Sequence, residues 1–402
     1  MKIIVLAGGA DQIALIKELK IRGHEVILLD YLKNPPAKKF ADKHFSVSTL
    51  DIDGVREIAI KEKVNLITTA CTDQALLTAA KVSEELSLSC YLSYKTALSV
   101  TNKSYMKQIF IENDIPTSKY FIFDIEDLSK LSNVTFPVVV KPVDCNSSKG
   151  VKKANNRLEL TTYINEAIQL SRLRQAIVEE FQEGEELSVD LYVENSLAKL
   201  LCITSSKKIK NSKAFTIKES CYPAVSSELE PIILLLAQKI VDGFHLNDTP
   251  MLLQIIINER NECSVLEFSA RMGGGSKYQL IKELSGIDIM SVYVDRILGN
   301  IPKIFPIKRV KFARMQYVYC NPGVIKQFKG FKELKKSGII QDFFLYKTIG
   351  MEIDKCETSS DRAAGFLVIS DDYDSLISKL ELANKTICIL DKKDCNIIKM
   401  SY

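Results

Sequence analysis

Three valines running into a lysine and a proline limit how this chain can fold more than any other feature. Phe136-Pro137-Val138-Val139-Val140-Lys141-Pro142 reads as a buried strand that delivers an ammonium group at its end. A small polar loop follows, Asp144-Cys145-Asn146-Ser147-Ser148-Lys149-Gly150. An ammonium carried there by an apolar strand needs an anion. Far downstream, Val265-Leu266-Glu267-Phe268-Ser269-Ala270-Arg271 puts a carboxylate and an arginine four residues apart, on one side of an extended strand. A lysine with a loop of small residues suits a triphosphate, and a strand-borne carboxylate suits the magnesium that accompanies it. Together the two segments point to chemistry on ATP.

The rest of the chain supplies the frame. The first hundred residues alternate strand and helix. Strand Ile3–Leu6 turns through Gly8-Gly9 into a helix ended by Gly23, strand Glu25–Asp30 follows, and the pattern repeats through Asn65–Thr69 to a short strand near Ser89–Leu92. This rhythm predicts a parallel sheet covered by helices. The G-x-G-x-x-G pattern is incomplete, so a small anion at that first helix N-terminus is a better expectation than a nicotinamide nucleotide. Thr101-Asn102-Lys103-Ser104 opens another helix. Strands, a helix and paired strands then run to Thr204, with turns at Glu183-Gly184 and Glu194-Asn195. A long helix is expected over Glu228–Phe244, strands over Leu252–Asn258 and Cys263–Phe268, and helices near Lys277–Leu284 and Ile289–Leu298. Beyond Pro302 short strand-like runs dominate, with one helix over Asp374–Ala383.

Composition narrows the function classes. A net charge of +4 over 402 residues does not make the concentrated basic face that nucleic acid requires. The basic cluster Lys207, Lys208, Lys210 and Lys213 reads as a solvated loop or an anion contact. Ten cysteines show no Cys-x-x-Cys pair, and the three histidines His24, His44 and His245 have no partner at metal-ligand spacing. A histidine triad or zinc site is therefore not expected. The longest aliphatic run, Ile232 to Ala237, is too short to span a bilayer. With the chain opening directly on a strand, these features predict no signal peptide, no membrane partner and a reducing cytoplasm.

In the order and spacing of these motifs the chain resembles the ATP-grasp superfamily, in the branch of biotin carboxylase, carbamoyl-phosphate synthetase and phosphoribosylglycinamide synthetase. The resemblance implies a fold that is α/β and α+β. It divides the chain into a Rossmann-like pre-ATP-grasp domain over 1–100 and an ATP-grasp domain over 101–304. A nucleotide-clamping subdomain occupies 118–205, and a β-rich C-terminal cap covers 305–402. By the same resemblance Lys103 and Lys141 hold phosphates, and the loop with Ser147, Ser148, Lys149 and Gly150 folds over them. Val178-Glu179-Glu180-Phe181 is the hinge that reads adenine, with Glu179 able to accept from the exocyclic amine. Glu186 of Gly184-Glu185-Glu186 holds the ribose. Glu267 is the magnesium ligand, and Arg271, with Lys141, acts at the transferred phosphoryl group.

Two positions depart from the family pattern. Gln254 stands where a second acidic metal ligand is usual, and Ser269 where asparagine is usual. Both offer neutral oxygens, so one magnesium ion is expected and a second is in doubt. Gly273-Gly274-Gly275-Ser276 offers backbone N–H groups to a substrate carboxylate or acyl phosphate, although a tight strand-to-helix turn explains the glycines as well. The implied activity is ATP-dependent ligation of a small carboxylate to an amine through an acyl phosphate, in an enzyme whose relatives are commonly homodimers. A phosphoribosylglycinamide synthetase-like ligase and a non-catalytic ATP-binding regulator are the alternatives.

Overall fold

The computed structural model describes residues 1–124, 134–146, 148–209, 215–354 and 358–399. Ser147, Lys210 and Lys213 lie outside the described residues. Strands β1 (Lys2–Leu6), β2 (Glu25–Leu29), β3 (Lys43–Phe45) and β4 (Leu66–Thr68) pair in parallel in the order β3-β2-β1-β4. Helices α1 (Ala10–Ile21), α2 (Ile52–Glu62) and α3 (Asp73–Glu85) link them. Alternate residues of β1 enter different cores, Ile3 and Val5 one and Ile4 and Leu6 the other. A parallel sheet needs both faces covered in this way.

The turn before α1 differs from expectation. The Gly8 N–H donates to Asp30 Oδ2 at 2.7 Å, so the carboxylate ending β2 already sits where an anion was anticipated. Near Ser89 there is one bridge to Leu66 rather than a strand. Ser93 instead caps a short helix, α4 (Tyr94–Thr101), which the sequence expectation does not include. Asn102 then accepts from the Ser104 and Tyr105 N–H groups and starts α5 (Lys103–Glu112).

Strands β5 (Tyr120–Asp124), β6 (Val138–Pro142), β7 (Lys152–Ala154) and β8 (Gln175–Glu180) form a small antiparallel sheet in the order β5-β8-β6-β7. Helix α6 (Arg157–Leu170) covers one face, where Val138, Val140 and Val178 meet Leu160 and Ile164. The period of two therefore turns Val139 and Lys141 to the other face.

The larger sheet begins with β9 (Glu185–Glu194), β10 (Leu197–Lys208) and β11 (Ile217–Tyr222). It continues through β12 (Thr249–Ile257), β13 (Cys263–Ser269) and β14 (Phe312–Val318). In the C-terminal segment follow β15 (Gly323–Lys329), β16 (Asp342–Leu345), β17 (Glu352–Ile353), β18 (Ala364–Ser370) and β19 (Cys388–Asp391). Eight of these strands form one sheet in the order β13-β12-β9-β10-β11-β14-β18-β16. Strands β9 and β10 thus belong to the large sheet, although the sequence reading carries the clamping unit to residue 205. The long β9–β10 hairpin is apolar on its inner face and finds its core against α5 and α7 (Glu230–Gly243), through Leu187, Val189, Leu191, Phe110, Ile233 and Ile240. Strands β14, β16 and β18 extend this same sheet, so the C-terminal segment is joined to it by hydrogen bonds. The remaining strands make a small sheet, β17-β15-β19, packed with α10 (Phe331–Lys336) and α11 (Tyr373–Thr386). Helices α8 (Lys277–Ser285) and α9 (Ile289–Ile297) pack on the other face of the large sheet, around Tyr192 and Tyr293. Among the described residues no helix is long and apolar enough to cross a membrane.

Candidate functional site

A cleft of about 420 Å³ opens between the two sheets, within the ~300–1,000 Å³ usual for small-molecule sites. The small sheet contributes Val139, Lys141 and Glu179, and the large sheet Glu186, Gln254, Ile256, Leu266 and Glu267.

Glu267 reaches this cleft through an irregularity. Val265 pairs with Ile255 and Glu267 with Gln254, which leaves Leu266 as an extra residue on β13. Val265 and Phe268 both pack in the core, so the side-chain parity of β13 switches between them. The bulge turns Glu267 onto the cleft face, where a strictly alternating strand would have buried it with Val265.

One end of the cleft carries two lysines. Lys103, at the first turn of α5, reaches the Cys145 carbonyl at 2.6 Å and Glu267 Oε2 at 3.4 Å. Lys141 pairs with Glu179 Oε1 at 2.8 Å. Burial works against the charge on Lys141, but Glu179 and Glu267 outweigh it and raise its pKa. Asn146 and Ser148 of the loop line the cleft beside them. Lys149 and Gly150 do not. Gly150, at φ +73°, sits where a Cβ would press on Leu170 and Pro142, so it serves the turn rather than a ligand.

Glu179 requires a correction. Its carboxylate is 3% exposed and accepts from Ser118 Oγ at 3.0 Å, with Lys107 Nζ at 3.3 Å and Lys141 on its other oxygen. Burial pushes this carboxyl up, yet Lys107 and Lys141 overrule it and hold it at about 2. Its oxygens are turned to Lys107, Lys141 and Ser118, partners that the adenine reading did not include. The hinge backbone is also partly used, since the Glu180 and Phe181 N–H groups donate to the Lys119 and Pro137 carbonyls.

What the hinge does provide is a flat apolar slot. Phe181 stacks with Phe215 at 6.5 Å between centroids, Lys153 lies 3.6 Å over the Phe181 ring, and Ile217, Ile256 and Leu266 complete the walls. Glu180 lines the slot's rim. Glu186 borders it with its carboxylate held by Lys208 at 2.6 Å and by Gln254 Nε2 at 3.3 Å. Lys208, placed by its sequence context in a solvated loop or anion contact, is thus part of the lining. Lys207 pairs with Glu185.

Past Glu267 and Gln254 the cleft runs into a second, more polar compartment lined by Arg271, Asp73, Lys277, Gly273, Tyr317 and Arg362, among others. Arg271 makes a two-pronged contact with Asp73, Nε to Oδ1 at 2.9 Å and Nη2 to Oδ2 at 2.5 Å, and Nη1 donates to the Met272 carbonyl. Lys277 is buried on Ser188, Asp190 and Thr204, the polar residues that β9 and β10 turn to this side. Arg362 lies 3.7 Å over the Tyr317 ring with Nε on Tyr319. Burial pushes the nearby Cys71 thiol well up, so it is no ready nucleophile.

The second half of the glycine turn after Arg271 is not open. The Gly275 and Ser276 N–H groups donate to Asp11 at 3.0 and 2.7 Å, so a carboxylate from α1 fills the position expected for a substrate's. Ser269 lies on the same side of β13 as Glu267 but is 7% exposed and lines neither compartment. Asp11, Asp73, Lys107, Lys277 and Arg362 were not marked by any local motif. Each becomes a site neighbour only through contacts distant in sequence.

A divalent cation fits the donors present. Glu267 is exposed to the cleft and faces Gln254 across the ladder, an anionic and a neutral oxygen donor side by side. That suits magnesium, which takes most of its ligands from phosphate and water. Among the described residues no three His, Cys, Asp or Glu side chains gather as a cage that could hold an ion without a nucleotide.

Comparison with known proteins agrees with this geometry. The profile of the ATP-grasp domain matches residues 134–279. Formate-dependent phosphoribosylglycinamide formyltransferase of Prochlorococcus marinus subsp. pastoris is 28% identical over 185 residues, 45% of this chain and 47% of that protein. The chain therefore spans about half the length of the curated relatives it matches, or less. Among solved structures, L-amino acid ligase from Bacillus licheniformis superposes with a TM-score of 0.79 at 19% identity, covering 97% of this chain and 98% of that one. Phosphoribosylglycinamide synthetase from Anaerococcus prevotii gives 0.75 at 22%, covering 97% and 99%. Residues 134–279 match the ATP-grasp domain, and the chain as a whole has the ATP-grasp fold.

Proposed function

We propose that this protein is an ATP-dependent carboxylate–amine ligase acting on a small metabolite or amino acid. The observation that carries the reading is the convergence of Lys103, Lys141 and Glu267 at the point where an apolar slot meets a polar compartment. Adenine occupies the slot beside Phe181, and Glu186 faces the ribose. Lys103, Lys141, Asn146 and Ser148 hold the phosphates. Glu267, with Gln254, would hold magnesium, which when bound neutralises phosphate charge. The γ-phosphoryl group passes to a carboxylate in the polar compartment, giving an acyl phosphate and ADP. An amine then attacks the acyl carbon and phosphate leaves, so an amide forms. Arg271, pinned by Asp73, presents its remaining N–H groups to the charge that develops during transfer. The chain's contribution is positioning and electrostatics, which phosphoryl transfer chiefly needs.

A phosphoribosylglycinamide synthetase-like activity is the second reading, favoured by the likeness to the Anaerococcus prevotii enzyme over nearly its whole length. A cytoplasmic homodimer belongs to the same proposal, resting on the reducing environment that the scattered thiols call for and on family habit.

ADP release from Mg-ATP, measured across amino acids, small carboxylates and phosphoribosylamine, tests the proposal. Release should require one carboxylate and one amine, and Glu267→Gln should lower it by roughly a hundredfold or more. Tight Mg-ATP binding with no release on any pair would support a non-catalytic regulator instead.

A further inference from the structure

Lys107 lies one turn beyond Lys103 on α5, is 1% exposed and borders neither compartment of the cleft. Its ammonium contacts Glu179 Oε2 at 3.3 Å, Ser118 Oγ at 3.4 Å, the Val265 carbonyl at 3.5 Å and the Thr117 hydroxyl. The other oxygen of Glu179 holds Lys141. One buried carboxylate is therefore shared between a lysine that faces the nucleotide slot and one that does not.

Desolvating an extra ammonium is costly, and the Glu179–Lys141 pair would be electrically complete without it. Completeness is the difficulty, because a lysine fully neutralised by its own glutamate has little net charge to offer a phosphate. A second cation on Glu179 leaves the cluster with one positive charge in excess, and of its two lysines it is Lys141 that lines the cleft. We infer that Lys107 is a positioning residue for the nucleotide phosphates: it takes up the charge of Glu179, so that the Lys141 ammonium stays aimed into the cleft and available to an anion. The charged groups facing Lys107 are Glu179 from β8, Lys141 from β6 and Glu267 from β13.

The inference rests on the proposed ATP site, and titration calorimetry of the full chain separates the two. Lys107→Met keeps the aliphatic volume and removes the charge. It should weaken Mg-ADP and Mg-ATP binding roughly ten- to a hundredfold while leaving adenosine affinity unchanged. The decisive variant is Lys107→Met combined with Glu179→Gln. With the carboxylate gone there is no charge to offset, and phosphate-dependent affinity should return to within about threefold of the wild type. The double variant also removes the unbalanced buried charge, so it gives a reading even if the single one folds poorly. Equal loss of adenosine and ADP binding, or no recovery in the double variant, would overturn the positioning role. A wild-type chain that binds no Mg-ATP would instead overturn the site on which the role depends.

Discussion

At the scale of single residues, the site is held by buried charges set against one another. Glu179 is the clearest case: burial raises its carboxyl pKa, and two lysines bring it down to about 2. A carboxyl whose folded pKa is depressed stabilises the fold fully above its ordinary value of 4.5, and that contribution is lost as pH falls from there toward 2. Spectra of protein labelled with ¹³C-glutamate should show one carboxyl still ionised at pH 3, and a midpoint near 4.5 for every glutamate would contradict this. Lys103 and Lys141 were legible in the sequence because each is delivered by a local pattern, a cap or a strand end, whereas Glu267 was legible as a strand-borne carboxylate but not the bulge that turns it outward. Glu179 was legible as a position but not in its partners. Ser118 and Lys107 reach it from segments that no local periodicity links to β8.

At the scale of elements, β13 shows why a strand's period is a guide and not a rule. Simple alternation from Val265 would bury Glu267, and only the extra residue at Leu266 sends it outward and Phe268 inward. The ring of Phe268 lies 4.5 Å from that of Phe244 and is 1% exposed. Phe268→Ala should therefore cost about 3–5 kcal/mol of stability, whereas Glu267→Gln next to it should change stability by less than about 1 kcal/mol. Urea unfolding of the two variants reads the difference directly, and a reversed order would mean that the bulge is misplaced. Most strands and helices could be read from periodicity and caps. The pairing of β9 and β10 could not, since a hairpin with one apolar face can join either sheet, and the choice lies with the distant α5 and α7.

At the scale of the whole molecule, the polar compartment is assembled from all parts of the chain. Cys71 and Asp73 come from the first hundred residues, Arg271 and Lys277 from the middle, and Tyr317 and Arg362 from the C-terminal segment. Asp11 closes the glycine turn after Arg271 with three hydrogen bonds, two to backbone and one to the Ser276 hydroxyl. That contact makes the segment matched by the family profile and the segment able to work two different lengths of chain. A fragment cut to residues 134–279 would keep the hinge, Lys141, Glu267 and Arg271. It would lose Lys103, the carboxylate that clasps Arg271 and the one that shuts the turn. Expressed alone, it should bind Mg-ATP at least about tenfold more weakly than the full chain and release no ADP, as calorimetry and a phosphate assay would show. A gene fusion or exchange that moved only the recognisable block would carry over the shape of a nucleotide cradle and leave its chemistry behind.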